Sequence, residues 1–140
     1  MKTVRIFCVA LTLTLAQVAF ANCPAINLSD LSGSITSVSE GTVTITNNSA
    51  ACTYQVGLAS YEKRGPILAN QYLFSYQSVQ LGPQQSVSLK VAIPNCSYQL
   101  DLVNGPILQN FHSHSYGKYF WDVERKVDHA NTYGPYCVGQ

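Results

Sequence analysis

With 8 basic and 7 acidic side chains in 140 residues, the chain has a formal net charge of +1, too balanced to steer it to nucleic acid or an anionic lipid surface. Its length suits one domain of about 100 to 150 residues, enough to bury a core without a metal staple.

The first element in chain order is a targeting segment. Lys2 and Arg5 precede an apolar run from Ile6 to Phe20, and Ala19-Phe20-Ala21 offers a small-x-small cleavage site. Residues 1–21 therefore read as a secretory signal peptide. The run is shorter than the roughly 20 residues that span a bilayer, and nothing later in the chain is long enough. Asn22 directly before Cys23 does not suit a lipid-modified cysteine, which normally follows a small residue. The expected mature protein is residues 22–140, secreted or periplasmic, with no membrane insertion after cleavage. Loss of Lys2 and Arg5 leaves 6 basic against 7 acidic residues, a net charge of −1.

Cys8 departs with the signal peptide, leaving Cys23, Cys52, Cys96 and Cys137. An even count in an exported chain implies two disulfides with three possible connectivities. No pair has the CxxC spacing of a redox or zinc motif.

From Ile35 onward the period is two, as in half-buried strands. Ile35 and Val38 precede the turn signal Glu40-Gly41; Val43 and Ile45 then alternate with threonines in a strand closed by Asn47-Asn48-Ser49. Cys52, Tyr54, Val56 and Leu58 share the next face, which ends at a charged tip, Glu62 to Pro66. A strand follows over about Tyr72 to Leu81, with aromatics at Tyr72, Phe74 and Tyr76. After Gly82-Pro83, Val87, Leu89, Val91 and Ile93 form the cleanest amphipathic strand. Cys96, Tyr98, Leu100 and Leu102 then point one way, while Gln99 and Asp101 point the other, where a solvated role is expected. Residues 116–127 suit a final strand pair.

Two stretches repeat. CTYQVGL at 52–58 is echoed by CSYQLDL at 96–102, and Gly65-Pro66-Ile67-Leu68 by Gly105-Pro106-Ile107-Leu108. About seven short strands with turn signals every 8 to 12 residues predict an all-β, Ig-like Greek-key β-sandwich with two disulfides. Strands 43–48 and 53–61 would then be one cross-sheet pair, and 86–93 and 97–104 another, related by an approximate two-fold. Such symmetry sets Cys52 and Cys96 at opposite ends, too far apart for the usual Cα separation of about 4.4 to 6.8 Å. It favours Cys23–Cys52 with Cys96–Cys137; the rival, Cys52–Cys96 with Cys23–Cys137, requires the two strands to lie parallel.

The runs Thr46 to Ser49, Gly57 to Tyr61, Gln71 to Tyr76, Gly82-Pro83, Leu89 to Val91 and Pro94 to Leu102, with Gly105, resemble a small β-module of bacterial extracellular and surface proteins. The likeness covers about residues 35–117. More loosely the chain is similar to Ig-like or fibronectin-like modules that act as spacers and adhesion units. This resemblance implies a sandwich fold and brings no reaction, cofactor or agreed ligand.

Three constellations carry chemistry. His112 and His114 share one face of an extended strand, and with His129 or Asp128 they could grip copper or zinc; the plain alternative is a solvated loop. Tyr116, Tyr119, Phe120 and Trp121, with Tyr133 and Tyr136 further on, could present flat rings to a glycan or protein surface, or close the sandwich from inside. Asp122 and Glu124 share a face like paired carboxylates, but flanking Arg125 and Lys126 suit a charged edge. No serine lies in a nucleophile-elbow context. The expectation is a non-enzymatic, cofactor-free binding or adhesion-type module whose partner is a surface protein or glycan. A carbohydrate-binding module using Tyr119 to Trp121 and a periplasmic copper or zinc protein using His112 and His114 are its alternatives.

Overall fold

Apolar β-branched residues alternating with Thr and Ser favour pleated, one-face-buried strands, and strands dominate the computed structural model, which describes residues 21–23, 28–111 and 126–138. Residues 1–20, with all of the expected signal peptide but Ala21, lie outside the described residues. The strands are β1 (Ala21–Asn22), β2 (Leu31–Ser37), β3 (Thr42–Asn47), β4 (Cys52–Lys63), β5 (Gln71–Leu81), β6 (Ser86–Lys90), β7 (Tyr98–Asn104) and β8 (Lys126–Asn131). Single 3-10 turns, Leu28–Asp30 and Leu68–Asn70, precede β2 and β5.

Two sheets result. One has the order β2-β3-β6, all antiparallel. The other has β5 and β7 on β4, β8 beyond β7, and β1 running parallel beside Cys52 and Thr53. Thus β3 and β4 lie in different sheets, as do β6 and β7. The chain crosses between sheets at Asn48 to Ala51 and again between Val91 and Ser97, at the two cross-sheet pairs that the sequence suggests.

The core fills the space between sheets. Leu31, Val43, Ile45, Leu89 and Val91 meet Tyr54, Val56, Leu58, Leu81, Tyr98, Leu100 and Leu102. Two buried tyrosines anchor their hydroxyls at opposite ends of β2: Tyr54 Oη donates to Asp30 Oδ2 at 2.5 Å, and Tyr98 Oη to the Val38 carbonyl at 2.8 Å. Burial, reinforced by Asp30, pushes the Tyr54 hydroxyl up to about 12. Burial likewise raises that of Tyr98.

Disulfides pin both chain ends to this frame. Cys23 is bonded to Cys52 and Cys96 to Cys137, with Cα separations of 5.5 and 5.1 Å. Because β4 and β7 are antiparallel neighbours, their leading cysteines stand at opposite ends, each next to a terminal segment.

Asn47 is not a solvated turn residue but fully buried. Its Nδ2 donates to the carbonyls of Cys52, Leu81 and Gly82 at 2.7, 3.0 and 2.9 Å, and its Oδ1 accepts the Ser49 N–H at 3.0 Å. One buried amide side chain thus ties the β3–β4 crossing to the start of β4 and to the end of β5.

β4 is buried on both faces. Gly57, Ala59 and Tyr61 point away from the main core, and Ala59 and Tyr61 join Val103 and Phe111 in a second cluster. Leu68, Ile107 and Leu108, from the two Gly-Pro-Ile-Leu copies, pack on it. The covering segment sits so close that a Cβ at Gly57 would come within 2.8 Å of Ile107 Cδ1. Tyr61 stacks edge-on against Phe111, ring centroids 4.8 Å apart, and its hydroxyl donates to the Leu108 carbonyl at 2.9 Å.

Candidate binding clefts around the C-terminal segment

A row of side chains on the outer face of β7 leads to the candidate site. Ser97, Gln99, Asp101 and Val103 alternate along it and all are buried. The solvated role expected for Gln99 and Asp101 is therefore corrected: Asp101 is fully buried and Gln99 is 5% exposed. Gln99 Nε2 donates to both carboxylate oxygens of Asp101, at 2.8 and 2.9 Å. Desolvation raises the Asp101 carboxyl from its ordinary 3.8 to about 7, against the opposing pull of Gln99, Lys126 and Lys63. Burial outweighs the partners because neither lysine makes a direct ion pair with it among the described residues.

Beyond Gln99 this face opens into a cleft of about 320 Å³ between the end of β4, the start of β5 and residues 131–136. Lys63 lines it. The Lys63 ammonium donates to the Thr132 carbonyl at 3.3 Å and lies 5.5 Å from the centroid of the Tyr133 ring, within cation–π reach. Partial burial lowers its pKa, opposed by the nearby Asp101.

Two features of the cleft are chemically unspent. Gln71, 6% exposed, lines it, and its buried Oε1 has no hydrogen-bond partner among the described residues. Tyr133 is 93% exposed. A second, wider cleft of about 660 Å³ lies around Arg64, Phe74, Pro94 and the Cys96–Cys137 disulfide. Arg64 there caps the Tyr72 ring at 4.3 Å and pairs with Glu62. Tyr136, 50% exposed, belongs to both clefts, so the disulfide-held tail forms the ridge between them.

The tail is held by backbone as well as by sulfur. The Ser97 N–H donates to the Pro135 carbonyl at 2.9 Å and the Cys137 N–H to the Lys63 carbonyl at 2.8 Å. Ser97 Oγ donates to the Gly134 carbonyl at 2.7 Å. Tyr133 and Tyr136 are thus presented on a braced segment, which lowers the entropy cost of using them for contact.

Of the residues singled out in the sequence, His112, His114, Tyr116, Tyr119, Phe120, Trp121, Asp122 and Glu124 lie outside the described residues. His129 is exposed on β8, opposite Asp101 in the ladder. Asp128 is engaged structurally: its Oδ2 accepts the Ile35 N–H at 2.8 Å, tying β8 to β2, and its Oδ1 accepts the His129 N–H at 2.8 Å. No group of three or more His, Cys, Asp or Glu side chains with metal-site geometry occurs among the described residues. No helix there is long and apolar enough to cross a membrane.

Sequence reasoning missed Lys63, Gln71 and Asp101. A signal for Asp101 was present: Val56 to Tyr61 is nearly continuous in apolar or small residues, as in a strand covered on both faces. The strand beside it then buries its outer residues too. Nothing local marks Gln71, whose surroundings come from the distant tail. Comparison with protein-family models, with curated proteins and with solved structures finds no match in any of the three.

Proposed function

We propose that the chain is a secreted, disulfide-stapled Ig-like module that acts by binding rather than catalysis, through the end of the sandwich where the tail carries Tyr133 and Tyr136. The observation that carries this reading is the pairing of two adjoining clefts with one braced aromatic ridge. Exposed tyrosines on a rigid support are typical of recognition surfaces, since they offer large contact area at little rotamer cost. Support for the Ig-like part comes from the strand orders β2-β3-β6 and β5-β4-β7-β8, which correspond to the A-B-E and C′-C-F-G orders of an Ig-like Greek key. Two structural disulfides fit export, because cytosolic thiols are kept reduced.

The test uses labelled, exported protein on bacterial and host cell surfaces and on immobilised matrix proteins and polysaccharides. Saturable binding that falls at least tenfold in a Tyr133→Ala/Tyr136→Ala double variant with an unchanged melting transition supports the reading. Equal binding by the variant, or no saturable binding to any surface, sinks it.

A further inference from the structure

A strand at the edge of a sheet carries a row of unpaired N–H and C=O groups, which a further strand can use. Three of the long edges here are tied or charged. On β2 the Ile35 N–H donates to Asp128 Oδ2. β8 itself carries Lys126, Asp128 and His129. At the end of β6 and just beyond it, the N–H groups of Lys90 and Ala92 are capped by Gln77 Oε1 and Ser75 Oγ, at 2.9 and 3.2 Å.

β5 differs. Its start is covered, because Tyr72 bridges to Asn110 and the Leu73 N–H donates to the Gln109 carbonyl at 2.9 Å. From Phe74 to Leu81, no strand among the described residues pairs with it on the side away from β4. That stretch, FSYQSVQL, has no charge, no proline and no glycine, so it lacks the residues with which sheet edges commonly discourage pairing. Tyr76, Gln77 and Gln80 are exposed along it.

The same stretch narrows the partner. A strand bearing lysines or acids finds no counter-charge on it, whereas an antiparallel copy of itself brings no like charges together. Aligned on Ser78, two copies set each Tyr76 across from a Gln80 and each Gln77 across from a Val79. The tyrosine ring then covers an amide stem, and the exposed aromatic area on this edge is buried. Such a pairing uses one patch on both chains and closes at two.

We propose that two copies of this chain associate through their β5 edges, antiparallel over residues 75–81, joining the sheets in the order β8-β7-β4-β5-β5-β4-β7-β8. Gln71, at the start of β5, lines the cleft beside the tail, and Leu81 lies about 30 Å of strand away. Antiparallel pairing therefore sends the two tails to opposite ends of the dimer, and each copy keeps its Tyr133 and Tyr136 ridge for contact.

The experiment is sedimentation equilibrium of the full disulfide-bonded protein from micromolar to millimolar concentration, with three double variants. The parent should follow a monomer–dimer equilibrium. Tyr76→Lys/Gln80→Lys should weaken it at least tenfold, and mixing that variant with Tyr76→Glu/Gln80→Glu should restore a one-to-one dimer. Ser34→Lys/Ser88→Lys, which places the same charge at exposed positions of the other sheet, should leave the equilibrium within twofold. If Tyr76→Lys/Gln80→Lys fails to melt cooperatively, Ser78→Lys decides in its place, since it sets two like charges opposite each other at the two-fold. A parent that stays monomeric at millimolar concentration overturns the inference. So does a dimer that persists in the β5 lysine variants, equal weakening by Ser34→Lys/Ser88→Lys, or growth into polymers beyond the dimer.

Discussion

Leu58 and Leu102 are direct partners in the β4–β7 ladder and stand 44 positions apart, the interval that also separates the partners Thr44 and Ser88 in the β3–β6 ladder. In an antiparallel pair, a two-fold through such a partnership carries each residue onto the one 44 positions later. It therefore maps Cys52 to Cys96 and Tyr54 to Tyr98. The echo of CTYQVGL in CSYQLDL is thus a two-fold relation within one sheet, repeated in the facing sheet.

Tyr54 and Tyr98 are mates under this relation, and they hold the two ends of the same strand, β2. Tyr54→Phe and Tyr98→Phe should each lower stability by about 1–2 kcal/mol, the usual cost of orphaning one buried partner. Their effects should add in the double variant, because the sites are at opposite ends of β2. Urea denaturation of the four proteins measures this; an unchanged midpoint in either single variant would show that its hydroxyl contributes nothing.

Asn47 supplies three donor contacts, to the Cys52 carbonyl at the start of β4 and to the Leu81 and Gly82 carbonyls at the end of β5. Asn47→Ala leaves those carbonyls without it in a buried setting, and a loss of about 3 kcal/mol is expected. Asn47→Asp should be at least as damaging, since a carboxylate would face carbonyl oxygens. A melting temperature for Asn47→Ala within 2 °C of the parent, on a scale of about 2–8 °C per kcal/mol, would contradict this.

Asp101 makes stability depend on pH with a defined sign. Its folded-state pKa of about 7 lies above the ordinary 3.8, so the folded chain holds the proton more tightly than the unfolded chain. Its contribution is fully present below about pH 4, declines as pH rises to about 7, and is gone above that. The span corresponds to at most about 4 kcal/mol. Chemical denaturation at pH 4.5, 6, 7 and 8.5 should show this decline, and Asp101→Asn, which keeps an acceptor for Gln99 without a charge, should flatten it. A parent whose stability rises steadily from pH 4.5 to 8.5, with the same slope in the variant, would refute the assignment.

Gly41 closes the β2–β3 turn with φ +63°, and a Cβ there would lie 2.5 Å from the Val91 carbonyl oxygen. Gly41→Ala combines a left-handed conformation with a backbone clash, and a loss of about 2 kcal/mol or more is expected. Gly134→Ala is the control: a Cβ at that position meets nothing nearer than Ser97 Oγ at 3.6 Å, so it should move the urea midpoint little. Equal effects from both substitutions would refute the steric account.

Much of the strand framework was legible because alternation reports which side chains share a face. Val43 with Ile45, Tyr54 to Leu58, and Tyr98 to Leu102 all line the core as their period predicts. The aromatic strand β5 was harder. A register shift opposite Ser60 and Tyr61 interrupts its pairing with β4, and Phe74 and Tyr76 are about half exposed.

The sequence by itself determined the all-β class, the positions of most strands, the even set of four cysteines from Cys23 onward and the internal echo, since each is a local property of pattern or count. Only the tertiary structure decided that the outer face of β4 and β7 is covered. That cover comes from Leu68, Ile107, Leu108 and Phe111, segments remote in sequence from much of what they bury. The same remoteness turned Asp101 into a buried acid and left Gln71 Oε1 without a donor among the described residues, in the cleft that an exposed tyrosine 62 residues later also lines. A strand's period fixes which way a side chain points; whether water or protein waits there depends on where the rest of the chain returns.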